Sequence, residues 1–404
     1  MTVTFNARDA AVIADPYPSL HALMEHDPVH WSDKLGGWIL TRYDHIRQSL
    51  RDRRFSSDRM RPFFDRMPDA ERADLRELDA SMRLWAVFND PPAHTRVRGL
   101  MNKAFTTSAL EAMRPRVAAI VERLLDDLAK RGGETDFIQD FAYPLPAHVI
   151  ASMLGVPAAD VEKLKHWSDH LGAFVLTSRM SADKYRQANS ALLEMNAYFT
   201  DLVEARRRQP EADVTTGMVQ AEQRGDFLST EELVGACVLL LFAGHETTTH
   251  LLGNGLLALL KHPEQMHMLR DDATLAATAI EEMLRWDGPS LAQVRVAAED
   301  IELEGKQIKR GDRVFQMLCA ANRDPRVFEQ PDRFDIRRQH NPHLTFGYGI
   351  HFCIGAPLAR LEGQTAFPAL LRRLPHIELA AAPDWSDSIV VRGLNSLRIS
   401  YSAA

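Results

Sequence analysis

The sequence predicts a mainly α-helical protein with small β-sheets, an α+β fold. Long segments between about residues 90 and 290 place apolar residues at helical spacing, and a further helical part covers about residues 350–375. β-favouring segments are confined to an N-terminal hairpin and to the region after Pro289. No linker or repeat divides the 404 residues, so we expect one domain over residues 1–404, with the hairpin and the C-terminal strands forming a small β-rich part.

The composition is that of an ordinary globular protein, with 45% hydrophobic and 25% charged residues. A formal net charge of −7 argues against a general nucleic-acid binder. Residues 1–20 lack the apolar core of a signal peptide, and the most apolar run, residues 233–243, is too short to cross a bilayer. The three cysteines lie far apart, without a C-x-x-C pair that would favour a zinc site or a disulfide framework. We therefore expect a cytoplasmic protein that contacts no membrane.

Short elements are expected before residue 90. The sequence predicts a helix, a hairpin and a second helix over residues 15–26, 30–41 and 43–50. The segment from Phe55 to about Leu78 is charged and contains two prolines, which predicts a partly helical surface segment whose detailed conformation the sequence does not define. Pro91 and Pro92 mark the first turn of the next helix, where a missing N–H costs nothing.

The remaining elements follow from hydrophobic periodicity. A long, buried central helix begins near residue 230, with Ser229 or Thr230 as its N-cap. The other predicted helices cover residues 117–130, 143–154, 161–176, 181–208, 276–286 and 357–370. The predicted strands cover residues 294–296, 301–303, 306–308 and 313–318, and a final hairpin covers residues 389–399.

The central helix contains Ala243-Gly244-His245-Glu246-Thr247-Thr248, a run that conflicts with good helix-forming chemistry. Threonine can bond a carbonyl one turn back and loosen the helix, and Gly244 removes a side chain where a flat ligand can lie. The structural alternative is a buried helix with a polar defect or a kink. Conflicts between local preference and fold are typical of functional sites.

A second motif surrounds Cys353, where Phe346, Gly349, His351, Cys353 and Gly355 fit the pattern F-x-x-G-x-H-x-C-x-G. Glycine lets the backbone turn tightly and approach a flat ligand. Amides near a sulfur, and a helix N-terminus just after it, favour the thiolate. A lone cysteine is more often a buried apolar residue. A chance match to this whole pattern, however, has a probability on the order of one in ten thousand.

This loop closely resembles the haem-ligand loop of the cytochrome P450 superfamily, in its soluble bacterial type. The resemblance implies the P450 fold, with a long central helix over a buried haem, and makes Cys353 the axial ligand of the haem iron. It also implies that Glu246 and Thr247 are the catalytic residues that deliver protons to dioxygen. The implied cofactor is haem b, iron protoporphyrin IX.

The same resemblance assigns further residues. His94 and Arg98 are four apart and share a helix face, which without the resemblance would be interpreted as a solvated basic face. With Arg295 and His351 they would hold the haem propionates. The other implied haem contacts are Phe346, Gly347, Ala243, Gly244 and Gly355. Glu282 and Arg285, three apart, are expected to form a structural ion pair without a chemical role. The implied substrate pocket consists of Leu240, Ala243, Ala292, Val294 and Val391, and these apolar side chains favour an apolar substrate.

The predicted function is that of a haem-thiolate monooxygenase, which inserts one atom of O2 into an apolar substrate by hydroxylation or epoxidation. The chain lacks a G-x-G-x-x-G motif and the length for a reductase domain, so we expect electrons from a separate ferredoxin system or a flavodoxin. Arg96, Lys103 and Arg360 are interpreted as a basic face for such a partner, and a monomer is expected. The alternatives are a peroxide-driven haem-thiolate enzyme, which typically lacks the acid–threonine pair, and a non-catalytic haem-binding sensor.

Overall fold

The computed structural model describes residues 5–175, 181–223 and 229–402. Helices predominate in these ranges, as the sequence predicts. They are α1 (Ala10–Ala14), α2 (Tyr17–His26), α3 (Tyr43–Ser49), α4 (Met60–Asp65), α5 (Asp69–Asp74), α6 (Arg76–Met82), α7 (Ala93–Ala104), α8 (Thr107–Arg131), α9 (Pro144–Leu154), α10 (Val161–Val175), α11 (Ala182–Arg208), α12 (Val214–Gln223), α13 (Thr230–Lys261), α14 (Pro263–Asp271), α15 (Ala276–Asp287), α16 (Leu318–Ala321) and α17 (Ala356–Arg373).

The strands are short and fall into four small sheets within the described ranges. They are β1 (Val29–Ser32), β2 (Gly37–Leu40), β3 (Phe55–Ser56), β4 (Gly133–Asp136), β5 (Gln293–Ala297), β6 (Ile301–Leu303), β7 (Lys306–Ile308), β8 (Arg313–Gln316), β9 (His376–Leu379), β10 (Asp384–Trp385), β11 (Leu394–Ser396) and β12 (Arg398–Ser402). The five-stranded sheet has the order β1-β2-β8-β5-β3.

The predicted N-terminal hairpin is present, with Val29 opposite Leu40 in an antiparallel pair. Its second strand, β2, runs parallel to β8, and β8 is antiparallel to β5. The C-terminal strand β12 instead lies between β4 and β9 in a separate sheet. The hairpin and the C-terminal strands therefore belong to different sheets.

The predicted hairpin over residues 389–399 is wrong. Residues 389–393 form only an isolated bridge, between Val391 and Ser290. The strands that follow, β11 and β12, are separated by Leu397 and pair with different partners, β11 with β10 and β12 with β4 and β9. Because β4 lies more than 250 residues earlier in the chain, alternation within the tail alone cannot reveal this pairing.

The start of α8 differs from the prediction, and the predicted end of α10 lies beyond the described residues. Helix α8 begins at Thr107 rather than near residue 117, and Pro115 lies inside it. A proline inside a helix removes one backbone hydrogen bond, but this helix continues through Pro115. Helix α10 ends at Val175, and residue 176 of the predicted helix lies outside the described ranges.

The central helix α13 begins with a capping box. The amide of Glu232 donates to Ser229 Oγ at 3.3 Å, and the amide of Ser229 donates to a carboxylate oxygen of Glu232 at 3.1 Å. This reciprocal pair satisfies two amides at the helix start and identifies Ser229 as the N-cap. The Thr230 hydroxyl instead accepts a hydrogen bond from Arg207 at 3.1 Å.

Contacts divide the chain into two compact units. The cysteine unit consists of the described residues up to Phe55, of Pro115–Pro146 and of the described residues from Glu246 onward. The second unit consists of Ser56–Arg114 and the described part of Ala147–His245, so the boundary falls within α13. The single domain over residues 1–404 stays a prediction. Across residues 5–175, 181–223 and 229–402, no helix has the length and apolarity needed to cross a bilayer.

Candidate active site around Cys353

The cysteine lies in a loop that its own backbone closes. The amide of Cys353 donates to the carbonyl of Phe346 at 2.9 Å, and the amide of Gly347 donates to the carbonyl of Leu344 at 2.7 Å. A single helical turn, Gly349–His351, lies between the two sides of the loop. Helix α17 begins three residues after the cysteine, with Gly355 as its N-cap. The backbone thus fixes the position of the thiol relative to a helix N-terminus.

Two of the loop glycines are required by backbone conformation. Gly347 has φ +72° and Gly349 has φ +76°, in the left-handed region that side chains disfavour. A Cβ at Gly349 would lie 3.2 Å from the carbonyl oxygen of Leu50, and one at Gly347 would lie 3.0 Å from Nε2 of Gln293. Gly355 has an ordinary backbone conformation, and its Cβ would meet only the Cys353 sulfur, at 3.8 Å.

Exposure separates Cys353 from the other two cysteines, all three of which lie in the described ranges. Cys237 and Cys319 are buried, and burial raises the pKa of each thiol to about 12. Both therefore stay protonated at neutral pH. Cys353 is only half-buried. It is thus the thiol that a large ligand can reach.

An aromatic ring supports the loop beside the cysteine. Phe346 is buried, and its ring contacts the rings of His343 and Phe352 at centroid distances of 5.8 and 6.1 Å. The guanidinium carbon of Arg360, on α17, lies 4.7 Å from the Phe346 ring centroid. Since the carbonyl of Phe346 also accepts from Cys353, this one residue joins the loop to α17.

A carboxylate holds Arg360 in place. Arg360 donates two hydrogen bonds to Glu281 of α15, at 2.7 and 2.8 Å, and His343 Nε2 lies 3.2 Å from the same carboxylate. Burial alone would raise the pKa of Glu281, but the hydrogen bonds from Arg360 and His343 hold that pKa at about 2. The pKa of Arg360 is raised, chiefly by Glu281 and in part by the nearby Cys353. Sequence reasoning missed Glu281 and His343, because no local spacing connects them to the cysteine loop.

The predicted ion pair between Glu282 and Arg285 is present and fully buried. Arg285 donates two hydrogen bonds to Glu282, both at 2.8 Å. It also donates to the carbonyls of Asn322, Pro331 and Arg333 at 2.7–3.0 Å. The pair therefore anchors the irregular segment that leads from β8 to the cysteine loop.

Asn322 connects the anchored segment to the cysteine loop. Its side chain accepts from the amide of Leu344 at 2.7 Å and donates to the Thr345 hydroxyl at 2.8 Å. Thr345 in turn donates to the carbonyl of Leu284 on α15 at 2.6 Å. Helix α15 thus positions the residue that precedes Phe346.

Arg295 lies next to the loop, on β5. A strand arginine usually faces solvent, but this one is only 7% exposed. It donates to the carbonyl of Val294 at 3.3 Å and to the side-chain oxygen of Gln293 at 3.1 Å. Because Gln293 also approaches Gly347, Arg295 and the cysteine loop are neighbours in the cysteine unit.

One face of α13 is accessible in the middle of an otherwise buried helix. Ala243 is exposed, and Gly244, Glu246 and Thr247 are half-buried. Ala243, Glu246, Thr247 and His250 share this face by their spacing. His250 Nε2 lies 4.0 Å from the Glu246 carboxylate. Sequence reasoning missed His250, which the spacing of four from Glu246 could have revealed.

Gly244 has a packing reason that the sequence did not reveal. A Cβ there would lie 2.7 Å from Cγ1 of Ile150 on α9. The absent side chain thus allows α9 and α13 to approach closely in the second unit. Contact between Gly244 and the cofactor stays a prediction.

The two remaining predicted anion-binding residues lie on α7 in the second unit. His94 is buried, and Arg98, one turn later, donates to the Asn102 side chain at 3.2 Å. Arg96 points to another face and pairs with Glu232. His94 and Arg98 thus lie one turn apart on α7 in the second unit, whereas Arg295 and His351 both belong to the cysteine unit.

The five predicted pocket residues differ in environment. Ala292 and Val294 belong to a buried hydrophobic cluster that includes Tyr17, Leu20 and Phe315. Val391 and Leu240 are also buried, whereas Ala243 is exposed. The structure gives Ala292 and Val294 a place in the core, and their contact with a substrate stays a prediction.

The donor set fits a haem held by a thiolate. A half-buried thiol lies in a loop that two left-handed glycines shape, and the buried Arg295 lies on the strand next to that loop. No group of three or more side chains able to hold a bare metal ion occurs in the parts of the chain that the structure describes.

Comparison with known proteins agrees with this geometry. The family model described as Cytochrome P450 matches residues 38–384. The chain belongs to the cytochrome P450 family. It is 41% identical over 397 residues to the cytochrome P450 monooxygenase PikC of Streptomyces venezuelae, covering 96% of this chain and 91% of PikC. It is 38% identical over 401 residues to the polyketide biosynthesis cytochrome P450 PksS of Bacillus subtilis (strain 168), covering 96% of each chain.

A solved structure of another P450 has the same fold. P450BioI, in complex with hexadec-9Z-enoic acid ligated acyl carrier protein, superposes with a TM-score of 0.90 at 36% identity. The match covers 97% of this chain and 100% of that one. This P450 is accordingly a monooxygenase, an oxidoreductase that incorporates an atom of molecular oxygen. Family membership implies a haem-thiolate iron cofactor, O2 as a substrate and a redox partner.

Proposed function

We propose that this P450 hydroxylates or epoxidises an apolar substrate, with haem b as its cofactor and Cys353 as the axial ligand. The observation that carries the proposal is the half-buried Cys353 thiol in a loop closed by the 2.9 Å hydrogen bond to Phe346. When bound, haem iron supplies the reductive activation of O2 and the transfer of one oxygen atom to the substrate. The residues of the chain bind the cofactor, fix its orientation and deliver protons.

The surroundings of Cys353 favour its thiolate form. A buried thiolate without a partner would cost several kcal/mol even after relaxation. The start of α17 and the charge of Arg360 both lower that cost. Glu281 keeps Arg360 in position, so the carboxylate acts on the sulfur through the arginine.

Glu246 and Thr247 supply protons in this proposal. They lie on the accessible face of α13, one residue apart, where a hydroxyl and a carboxyl can pass a proton from solvent to dioxygen. His250 faces the Glu246 carboxylate from the next turn and orients it. The presence of both the acid and the threonine favours a reaction driven by electrons from a redox partner over a reaction driven by peroxide.

His94, Arg98, Arg295 and His351 are proposed to hold the two propionates. Each charge-assisted hydrogen bond to a carboxylate contributes about 1.5–3 kcal/mol. The burial of His94 and Arg295 supports this role, because a hydrogen bond to a carboxylate is stronger where water is excluded. These residues would set the orientation of the cofactor.

The proposed substrate is apolar and of moderate or large size. The accessible face of α13 carries the small, apolar Ala243 one turn before Thr247. The name of PksS places that relative in polyketide biosynthesis, and P450BioI was solved with a fatty acid on an acyl carrier protein. A fatty acyl or polyketide-derived molecule is thus the first class to screen.

Electrons are proposed to come from an acidic ferredoxin or a flavodoxin that docks beside the cysteine loop. Arg47 and Arg51 lie over the Tyr348 ring at 4.9 and 5.7 Å, while Ile350 and Phe352 are 50% and 41% exposed. A cationic rim around an exposed apolar patch suits an acidic partner. Of the cations expected from the sequence, Arg96 and Arg360 are occupied by ion pairs with Glu232 and Glu281.

The proposal is tested by oxygen-isotope transfer. A substrate is first identified by a spectral-shift screen of apolar compounds, and turnover is then run with ferredoxin, ferredoxin reductase and NADH under 18O2. One 18O atom in the product, and its absence when ferredoxin is omitted, is the expected result. Product formed only with added hydrogen peroxide, or product oxygen derived from water, would contradict the proposal.

A further inference from the structure

Two histidines meet on the outer surface of α10, away from the residues discussed above. His166 is exposed and His170, one turn later, is half-buried. Their Nε2 atoms lie 3.3 Å apart, with ring centroids 4.6 Å apart and ring planes at 83°. Both lie within the second unit, on one helix, so their separation depends on a single element.

The separation of the two nitrogens matches a shared metal ion. Zinc binds imidazole nitrogen at about 2.0–2.1 Å, and a tetrahedral angle then separates two such nitrogens by roughly 3.3–3.4 Å. As a hydrogen bond, the contact would require one neutral ring to donate to the other, at a distance beyond the usual range of about 2.7–3.2 Å. The spacing of four residues is also the one by which helices present two histidines to one metal.

We propose that His166 and His170 form a bidentate surface site for a divalent transition metal, with zinc, nickel and copper as the favoured ions. Imidazole nitrogen suits these ions, whereas magnesium and calcium prefer oxygen ligands. Because no group of three or more ligating side chains lies together in the described ranges, water completes the coordination. The site is independent of the haem proposal, and its affinity should follow the order copper above nickel and zinc.

The helix is already held at this point, so metal binding need not rearrange it. Trp167, between the two histidines, is buried and donates to the Glu194 carboxylate of α11 at 2.8 Å. The same indole ring lies 6.1 Å from the Tyr198 ring. These contacts fix the rotation of α10 and keep both imidazoles on the outer face. A metal ion would clamp the two turns together, and the stabilisation should rise with the logarithm of the free metal concentration once that concentration exceeds Kd.

The test is equilibrium dialysis of the untagged holoprotein against zinc, with bound zinc and iron measured by mass spectrometry. The variants are His170→Gln and a relocation control, His166→Gln with Glu162→His. Glu162 is exposed on the same face, and the control keeps the number of histidines while moving the two rings two turns apart, roughly 12 Å along the axis. The wild type is expected to bind one more zinc ion per chain than either variant, or to bind it at least tenfold more tightly.

A second measurement locates the ion. Zinc is expected to protect His166 and His170 from diethylpyrocarbonate, as seen by peptide mass mapping, and magnesium is not. Equal zinc binding by all three proteins, or protection that leaves these two histidines unchanged, would overturn the proposal. Since all three substituted side chains are at the surface, the variants should retain the wild-type melting temperature without metal, which verifies that they are folded.

Discussion

The guanidinium of Arg360 lies over the Phe346 ring, 4.7 Å from its centroid, while the Phe346 carbonyl accepts the hydrogen bond of Cys353. Glu281 holds the Arg360 cation in this position. Phe346 thus contacts both the cation and the backbone of the cysteine. This arrangement gives Cys353, the proposed haem ligand, an electrostatic environment that the motif around the cysteine does not encode.

Removal of the Arg360 charge should make the haem harder to reduce. In Arg360→Gln we expect the reduction potential of the haem to fall, because a nearby positive charge favours the reduced state. The loss of two hydrogen bonds to Glu281 should also cost about 1–3 kcal/mol of stability. Spectroelectrochemistry and urea unfolding measure the two effects. Arg360→Lys keeps the charge and should retain most of the potential. An unchanged potential in Arg360→Gln would remove the arginine from our account of the ligand.

The low pKa of Glu281 predicts acid sensitivity. Its pKa is about 2 in the folded protein, against a reference value of 4.5, so the folded state binds this proton less tightly than the unfolded state. The resulting stability is fully present above the unfolded value and is lost as the pH falls through the folded one. We expect the free energy of unfolding of wild type to drop more steeply below about pH 5 than that of Glu281→Gln, by up to about 1.4 kcal/mol per pH unit.

Urea unfolding at a series of pH values measures this slope. Glu264→Gln is the matched control, since Glu264 is exposed on α14, and this variant should retain the wild-type slope. Identical slopes for wild type and Glu281→Gln would show that the carboxylate is not held in its charged form.

The buried pair of Glu282 and Arg285 should be indispensable for folding. Arg285→Ala removes the bidentate partner of the buried Glu282 carboxylate, which then keeps Arg338 as its cationic partner. It also removes the Arg285 donor from the carbonyls of Asn322 and Pro331, and together these losses should cost about 3–5 kcal/mol. We expect little soluble protein and no haem uptake, measured by expression yield and haem absorbance. Arg337→Ala is the control on the anchored segment, because that side chain is 57% exposed and its contact with Asp335 is long, at 3.7 Å. A stable, haem-loaded Arg285→Ala protein would refute the anchoring role.

The hydroxyl of Thr247 should control how well electrons are used. Thr247→Val keeps the shape of the side chain but removes the proton donor, so NADH consumption should continue while product formation falls at least tenfold. Thr247→Ser restores the hydroxyl and should recover most of the coupling. The ratio of product to NADH consumed is the readout. Full coupling in Thr247→Val with the native substrate would exclude the hydroxyl from proton delivery.

The sequence predicted most of the fold because its helices are long and periodic. It also predicted those parts of the site in which residues lie close together in the chain. Glu282 and Arg285 are three apart, and Ser229, one of the two expected N-caps, directly precedes α13. Contacts between distant segments were missed: Glu281 and Arg360 are 79 residues apart, and the partner of β12 lies in β4. Gly244 shows a third limit, because its neighbour Ile150 belongs to another helix.

The central claim is that Cys353 ligates haem iron as a thiolate, and the absorbance of the reduced, carbon monoxide-treated protein tests it most directly. Wild type should give the red-shifted Soret band of thiolate-ligated haem, and Cys353→Ser should lose it. Cys319→Ala should keep it, since that thiol is buried with a pKa of about 12. A wild-type spectrum without the red shift, or a red shift that survives in Cys353→Ser, would contradict the account.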